Sequence, residues 1–151
     1  MGNVAMTPTL KVSEILEVAL YVTDLAAAEH FYTTILGLPL YSKVAERHVF
    51  LRCGDRMLLL FDAEATMDSG DGPLDVPEHG MKGAGHIAFA ARDYEIDLWK
   101  ERLIAHGINI EKEICWEGGR SIYFRDPSEN SIEITSPAIW GIKEAMFFDR
   151  G

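Results

Sequence analysis

The chain has 151 residues, 48% of them apolar, and a net charge of −10. That length fits one domain, or two small halves sharing a core, and the apolar share points to a packed interior rather than disorder. The acidic balance, with no block of Lys or Arg, disfavours nucleic acid as a partner. No apolar run approaches membrane-spanning length, the first residues lack a signal-peptide core, and Cys53 and Cys115 form no CxxC pair. The expectation is a cytoplasmic protein with no membrane partner.

In chain order, Glu14 to Asp24 reads as a strand, with Val18, Leu20 and Val22 alternating against Glu17, Ala19 and Tyr21. Asp24 is a helix N-cap, and Leu25, Ala28, Phe31, Tyr32, Ile35 and Leu36 follow at helical spacing up to Gly37, a C-cap. Short strands are predicted at about Leu40 to Val44, His48 to Arg52 and Met57 to Phe61, which completes a β-α-β-β-β unit. The unit then recurs. EVALYVTD from Glu17 aligns without a gap on HIAFAARD from His86. Tyr94 to His106 is a second amphipathic helix, closed by Gly107. HVFLR from His48 aligns on SIYFR from Ser121, and Met57 to Phe61 aligns on Ser131 to Thr135.

A duplicated unit leaves one sheet face wet unless its copies pack together. The expected fold class is therefore α+β: two paired βαβββ modules forming a curved mixed sheet around a cleft. A single domain spans 1–151, with module one at about 14–62, a linker at 63–84 and module two at about 85–136. A C-terminal tail at 137–151 is apolar enough to pack on something, its own domain before a partner.

Three polar residues interrupt apolar strands in matching positions. Glu17 and His86 occupy the same place on the first strand of each copy, and Glu133 lies mid-strand between Ile132 and Ile134. A lone carboxylate is costly to bury without a partner. Each residue alone is more often an edge or core residue, but two of the three sit at equivalent positions of the repeat. One imidazole and two carboxylates suit a divalent cation with open positions left for substrate. Tyr123 is expected on the same face as Glu133, able to donate a hydrogen bond to a substrate oxygen. Arg120 and Arg125 are placed there too, to hold an anionic group. Trp116 and Phe50 are candidates for an apolar substrate wall, and His79 for the cleft entrance.

LYVTDL with FYTTILGL, GHIAFAARD, and YFRDPSENSIEI together resemble the vicinal oxygen chelate superfamily, which holds glyoxalases, bleomycin-resistance proteins and extradiol dioxygenases. The resemblance covers about Ile15 to Pro137. It implies metal ligands at Glu17, His86 and Glu133. A fourth ligand used by glyoxalase I aligns with Leu59, which cannot coordinate. It also implies a homodimer in which two chains contribute to each site. The function so implied is a divalent-metal-dependent, glyoxalase-like lyase or isomerase whose small substrate chelates the ion through vicinal oxygens. Glu133 would be a catalytic carboxylate, the ion one of Mn, Ni, Zn, Mg or Fe, and glutathione a candidate co-substrate. The alternatives are an extradiol-type ring-cleaving dioxygenase and a non-enzymatic, bleomycin-resistance-type binding protein.

Overall fold

The computed structural model describes residues 10–67 and 77–149. Module one runs β1 (Glu17–Val22), α1 (Leu25–His30), a wider helical turn (Phe31–Ile35), β2 (Leu40–Val44), β3 (His48–Cys53) and β4 (Arg56–Asp62). Module two runs β5 (His86–Ala90), α3 (Glu95–Ala105), β6 (Lys112–Trp116), β7 (Gly119–Arg125) and β8 (Ser131–Thr135). Two four-stranded sheets result, ordered β1-β4-β3-β2 and β5-β8-β7-β6. In each, the first strand pairs parallel with the last and the remaining pairs are antiparallel. The fold is the predicted α+β pair of βαβββ modules.

Local chemistry sets the helix ends. Asp24 caps α1 by accepting from the Ala27 amide at 3.0 Å, which satisfies one of the amides that a helix start leaves without a partner. Gly37 and Gly107 close the two helical segments at φ 79° and 72°, a backbone state that favours glycine. The predicted linker begins as a single helical turn, α2 (Ala63–Met67). Asp62 starts it by accepting from the amides of Glu64 and Ala65. Residues 68–76 of that linker lie outside the described residues. The tail packs back on its own domain: a 3-10 turn (Pro137–Trp140) and α4 (Ala145–Phe148) bring Glu144 onto the Asp93 amide and the Phe148 ring under Arg92.

One core serves both modules. Leu20, Val22, Val49, Leu51, Leu58 and Leu60 from the first sheet join Ile122, Phe124, Ile132 and Ile134 from the second, with Phe31 and Tyr32 of the first helix and Ile96 and Leu103 of α3. Because side chains alternate along a strand, Glu17, His48, Phe50, Leu59 and Phe61 occupy the opposite face of sheet one. His86, Ser121, Tyr123, Glu133 and Thr135 occupy the opposite face of sheet two.

The modules are also joined by a buried polar node in the turn before β8. Asp126 Oδ1 accepts from the amides of Ser128 and Asn130. Its Oδ2 accepts from the Tyr32 hydroxyl at 2.8 Å and from Asn130 Nδ2 at 2.9 Å. Asn130 in turn donates to the Tyr21 carbonyl on β1 and accepts from the Gly85 amide ahead of β5. Among the described residues no helix is long and apolar enough to cross a membrane.

Burial and the adjacent Asp126 carboxylate push the Tyr32 phenol far above its ordinary value. The unfolded chain releases that proton near pH 10, whereas the folded chain keeps it. Stability supplied by this group is therefore complete below pH 10 and is lost as pH rises above it. Tyr32→Phe should cost about 1.5–3 kcal/mol at neutral pH, because a buried carboxylate loses a donor, and should flatten the fall in stability between pH 9 and 11. Urea unfolding at several pH values checks both; an unchanged alkaline slope would discount the node.

Candidate active site on the open face of module two

The second sheet places its polar residues on the face turned away from the helices. Glu133 lies mid-β8, 7% exposed, directly opposite Tyr123 on β7. Its Oε1 accepts from the Ser121 hydroxyl at 2.6 Å and the Tyr123 hydroxyl at 3.0 Å. Its Oε2 lies 3.3 Å from His86 Nε2. Burial, followed by the hydrogen bond to Glu133, pushes the Tyr123 phenol above its ordinary range, so it is a neutral donor at physiological pH. The ring of Tyr123 stacks loosely with His86, centroids 6.4 Å apart.

The tautomer of His86 follows from its neighbours. Nδ1 lies 3.0 Å from the Ser131 carbonyl oxygen. A carbonyl only accepts, so Nδ1 carries the proton. In the neutral ring, Nε2 then presents a lone pair to the Glu133 carboxyl. Two such atoms 3.3 Å apart are satisfied by a proton shared between ring and carboxyl or by a metal ion between them. The donor set thus fits a divalent ion at two ligands, with imidazole nitrogen and carboxylate oxygen both suited to it.

The predicted third ligand is placed differently. Glu17 is exposed at the start of β1, opposite Met57. Among the described residues, no group of three His, Cys, Asp or Glu side chains converges. The repeat does hold in register: Glu17 faces Met57 as His86 faces Ser131, and Phe50 faces Leu59 as Tyr123 faces Glu133. The chain brings together His86, Glu133 and Tyr123, and leaves Glu17 on its own module.

Of the predicted substrate contacts, Trp116 joins the site, its indole N–H donating to Ser121 Oγ at 2.8 Å. Phe50 lies on module one, stacked on His48 at 3.8 Å. His79 is also there, its Nδ1 2.7 Å from the Tyr21 hydroxyl and its ring against Phe61. The placement of Arg120 beside Glu133 is corrected: strand alternation sets Arg120 on the face opposite Ser121 and Tyr123. It is held there by Asp93 and Asp97 at the start of α3. Arg125 keeps the expected parity, but Glu111 engages its guanidinium through two bonds.

Ser121 is a site residue that the sequence reading did not single out, although its position two residues before Tyr123 marks the shared face. Thr135 is another, its Oγ1 2.7 Å from Ser121 Oγ. A separate cleft of about 760 Å³ beside the start of α1 is lined by Asp24, Glu29, Lys43, Glu46 and Asp62. Its Lys43 is tied to Glu29, and neither His86 nor Glu133 lines it.

Residues 14–134 match the family model described as Glyoxalase/Bleomycin resistance protein/Dioxygenase superfamily. Among solved structures, a lactoylglutathione lyase from Agrobacterium tumefaciens is 42% identical, with 87% of this chain and 98% of that one covered and a TM-score of 0.82. A glyoxalase/bleomycin resistance protein/dioxygenase from Nocardioides is 28% identical over 85% of each chain, TM-score 0.66. A glyoxalase/dioxygenase from Nostoc punctiforme, 24% identical over 86% of this chain and 98% of that one with a TM-score of 0.61, shares the fold.

Module one shows what the same strand positions look like without a carboxylate: Phe50 and Leu59 in place of Tyr123 and Glu133. The double variant Tyr123→Phe/Glu133→Leu should therefore fold. Free of metal, it should lie within about 2 kcal/mol of the parent, since packing replaces the buried carboxylate while the buried Ser121 hydroxyl loses one acceptor and keeps Thr135 Oγ1. Chemical denaturation measures this; a loss above about 2 kcal/mol would make Glu133 a structural anchor.

Proposed function

Because this chain belongs to the glyoxalase/bleomycin resistance protein/dioxygenase superfamily, we propose that it is a divalent-cation-dependent, glyoxalase-like lyase or isomerase acting on a small substrate with vicinal oxygens. The observation that carries this is the approach of His86 Nε2 to Glu133 Oε2 at 3.3 Å while Nδ1 is engaged by the Ser131 carbonyl. His86 and Glu133 would hold the ion. Glu17 would supply a third ligand from a second copy of the chain, which makes the working unit a homodimer. Exposed apolar residues beside Glu17 support such a contact: Leu10, Val12, Ile15 and Leu16 are each at least 68% exposed.

When bound, the ion supplies Lewis-acid polarisation of the substrate oxygens, which acidifies an adjacent C–H. The protein's own residues do the rest. Ser121 and Tyr123 occupy Glu133 Oε1, so Oε2 is the oxygen left, and it would take a proton from one carbon and return it to a neighbouring one on giving up its place as a ligand to the substrate oxygens. Tyr123, protonated at neutral pH, keeps that carboxylate fixed while the proton moves. The half-exposed indole of Trp116 borders the site and offers an apolar edge to the substrate. The likeness to a lactoylglutathione lyase makes a glutathione hemithioacetal the first substrate to test.

Purified protein should bind one divalent ion per chain, and His86→Ala and Glu133→Ala should each abolish that stoichiometry by elemental analysis. Metal-loaded protein should isomerise the hemithioacetal of methylglyoxal, and Glu133→Gln should lower kcat by roughly 10²–10⁴-fold. Ion content unchanged in both alanine variants would remove the site. Ring cleavage of catechols by the Fe(II) form, with no isomerase activity, would replace the reaction by that of a dioxygenase.

A further inference from the structure

Ser121 is fully buried in a strand that otherwise fills its buried positions with Ile122 and Phe124. Its single hydroxyl meets three partners. The Trp116 indole donates to it at 2.8 Å, and Thr135 Oγ1 lies at 2.7 Å. Glu133 Oε1, at 2.6 Å, is the shortest of the three contacts. A hydroxyl has one proton, and the charge-assisted bond to a carboxylate is the strongest use of it. The Trp116 contact then falls on a lone pair of Ser121, while Thr135 turns its own proton to the Arg120 carbonyl and stands as a second, neutral acceptor. Trp116 can only donate, so its bond takes one lone pair of Ser121 and leaves the proton to the two acceptors, of which the carboxylate is the stronger and the nearer.

The duplicated module supplies an internal control. In identical register, module one places His48, Phe50, Leu59 and Phe61 where module two has Ser121, Tyr123, Glu133 and Thr135. Tyr123 and Thr135 give way to apolar residues together with the carboxylate, and only the place of Ser121 stays polar. His48, at the place of Ser121, is left with a buried Nδ1 that has no hydrogen-bond partner. The position opposite the fourth strand's end thus carries a satisfied polar group where the carboxylate is present and an orphaned one where it is absent.

We propose that Ser121, oriented by Trp116, is a positioning residue for Glu133: it immobilises Oε1 so that Oε2 alone is offered toward His86 Nε2 and to a bound ion. Ser121 touches neither ion nor substrate, so it acts through Glu133. The inference rests on the function proposed above. It adds that the indole at the site margin is coupled to the ligand carboxylate through one hydroxyl.

The test is Zn²⁺ titration by calorimetry together with tryptophan fluorescence on the full-length protein. Ser121→Ala should weaken Zn²⁺ binding by about 10–100-fold, the range expected when a group supporting a ligand is removed. Trp116→Phe, a half-exposed change that keeps the fold if the Ser121 variant does not, should weaken it several-fold. The parent's Zn²⁺-dependent fluorescence change should vanish in Trp116→Phe and shrink in Ser121→Ala. Zn²⁺ affinity within twofold of the parent in both variants, while Glu133→Ala loses binding, would overturn the positioning role and leave the metal site standing. Parental affinity in Glu133→Ala as well would overturn the metal site itself.

Discussion

Everything at the site depends on the buried carboxylate of Asp126. It closes its own turn by accepting two backbone amides, and it takes the Tyr32 hydroxyl from the first helix. Through Asn130 it reaches the backbone of β1 and the entry to β5. A carboxyl group buried to this degree is tolerable only when its oxygens are hydrogen-bonded. That requirement sets the positions of the pieces around it. β8 starts where the node ends, and Glu133 follows Asn130 by three residues. The strand that carries the carboxylate and the strand that carries His86 are therefore indexed to each other, and to module one, by one set of hydrogen bonds.

The two sheets share an order and a register and differ in what their open faces do. In sheet two, polar side chains support a carboxylate against an imidazole. In sheet one Leu59 takes the place of the carboxylate and the other three positions hold rings: His48 stacks on Phe50, and Phe61 meets both edge-on. The backbone does not decide which face gathers polar side chains. Four side chains per sheet decide it, and they change as a group because a buried carboxylate without donors, or donors without a carboxylate, is costly.

Much of this was legible in the sequence, because a gapless repeat transfers strand positions from one copy to the other. Glu17 aligned with His86, and Met57 to Phe61 with Ser131 to Thr135, and the ladders keep both equivalences. The pairing of Tyr123 with Glu133 follows from parity across a tight turn. Parity also contradicts the placement of Arg120, an odd number of residues from Tyr123, and its ion pairs with α3 agree. Other features depended on contacts that spacing does not reveal. The widened helical turn at Phe31–Ile35 has no sequence mark. The role of Ser121 requires knowing that Trp116, from the neighbouring strand, reaches back to it. Whether Glu17 meets His86 is a matter of how modules face each other, which alternation within a strand does not address.

The ring-filled face of module one bears on engineering. Its strands already hold positions 17, 48, 50, 59 and 61 in the register that gathers an imidazole, a phenol and a carboxylate in the other half, and a hydrophobic interior supports them from behind. The scaffold is thus half blank: a ready-made backbone on which new chemistry could be written by exchanging a handful of side chains, without redesigning a single loop.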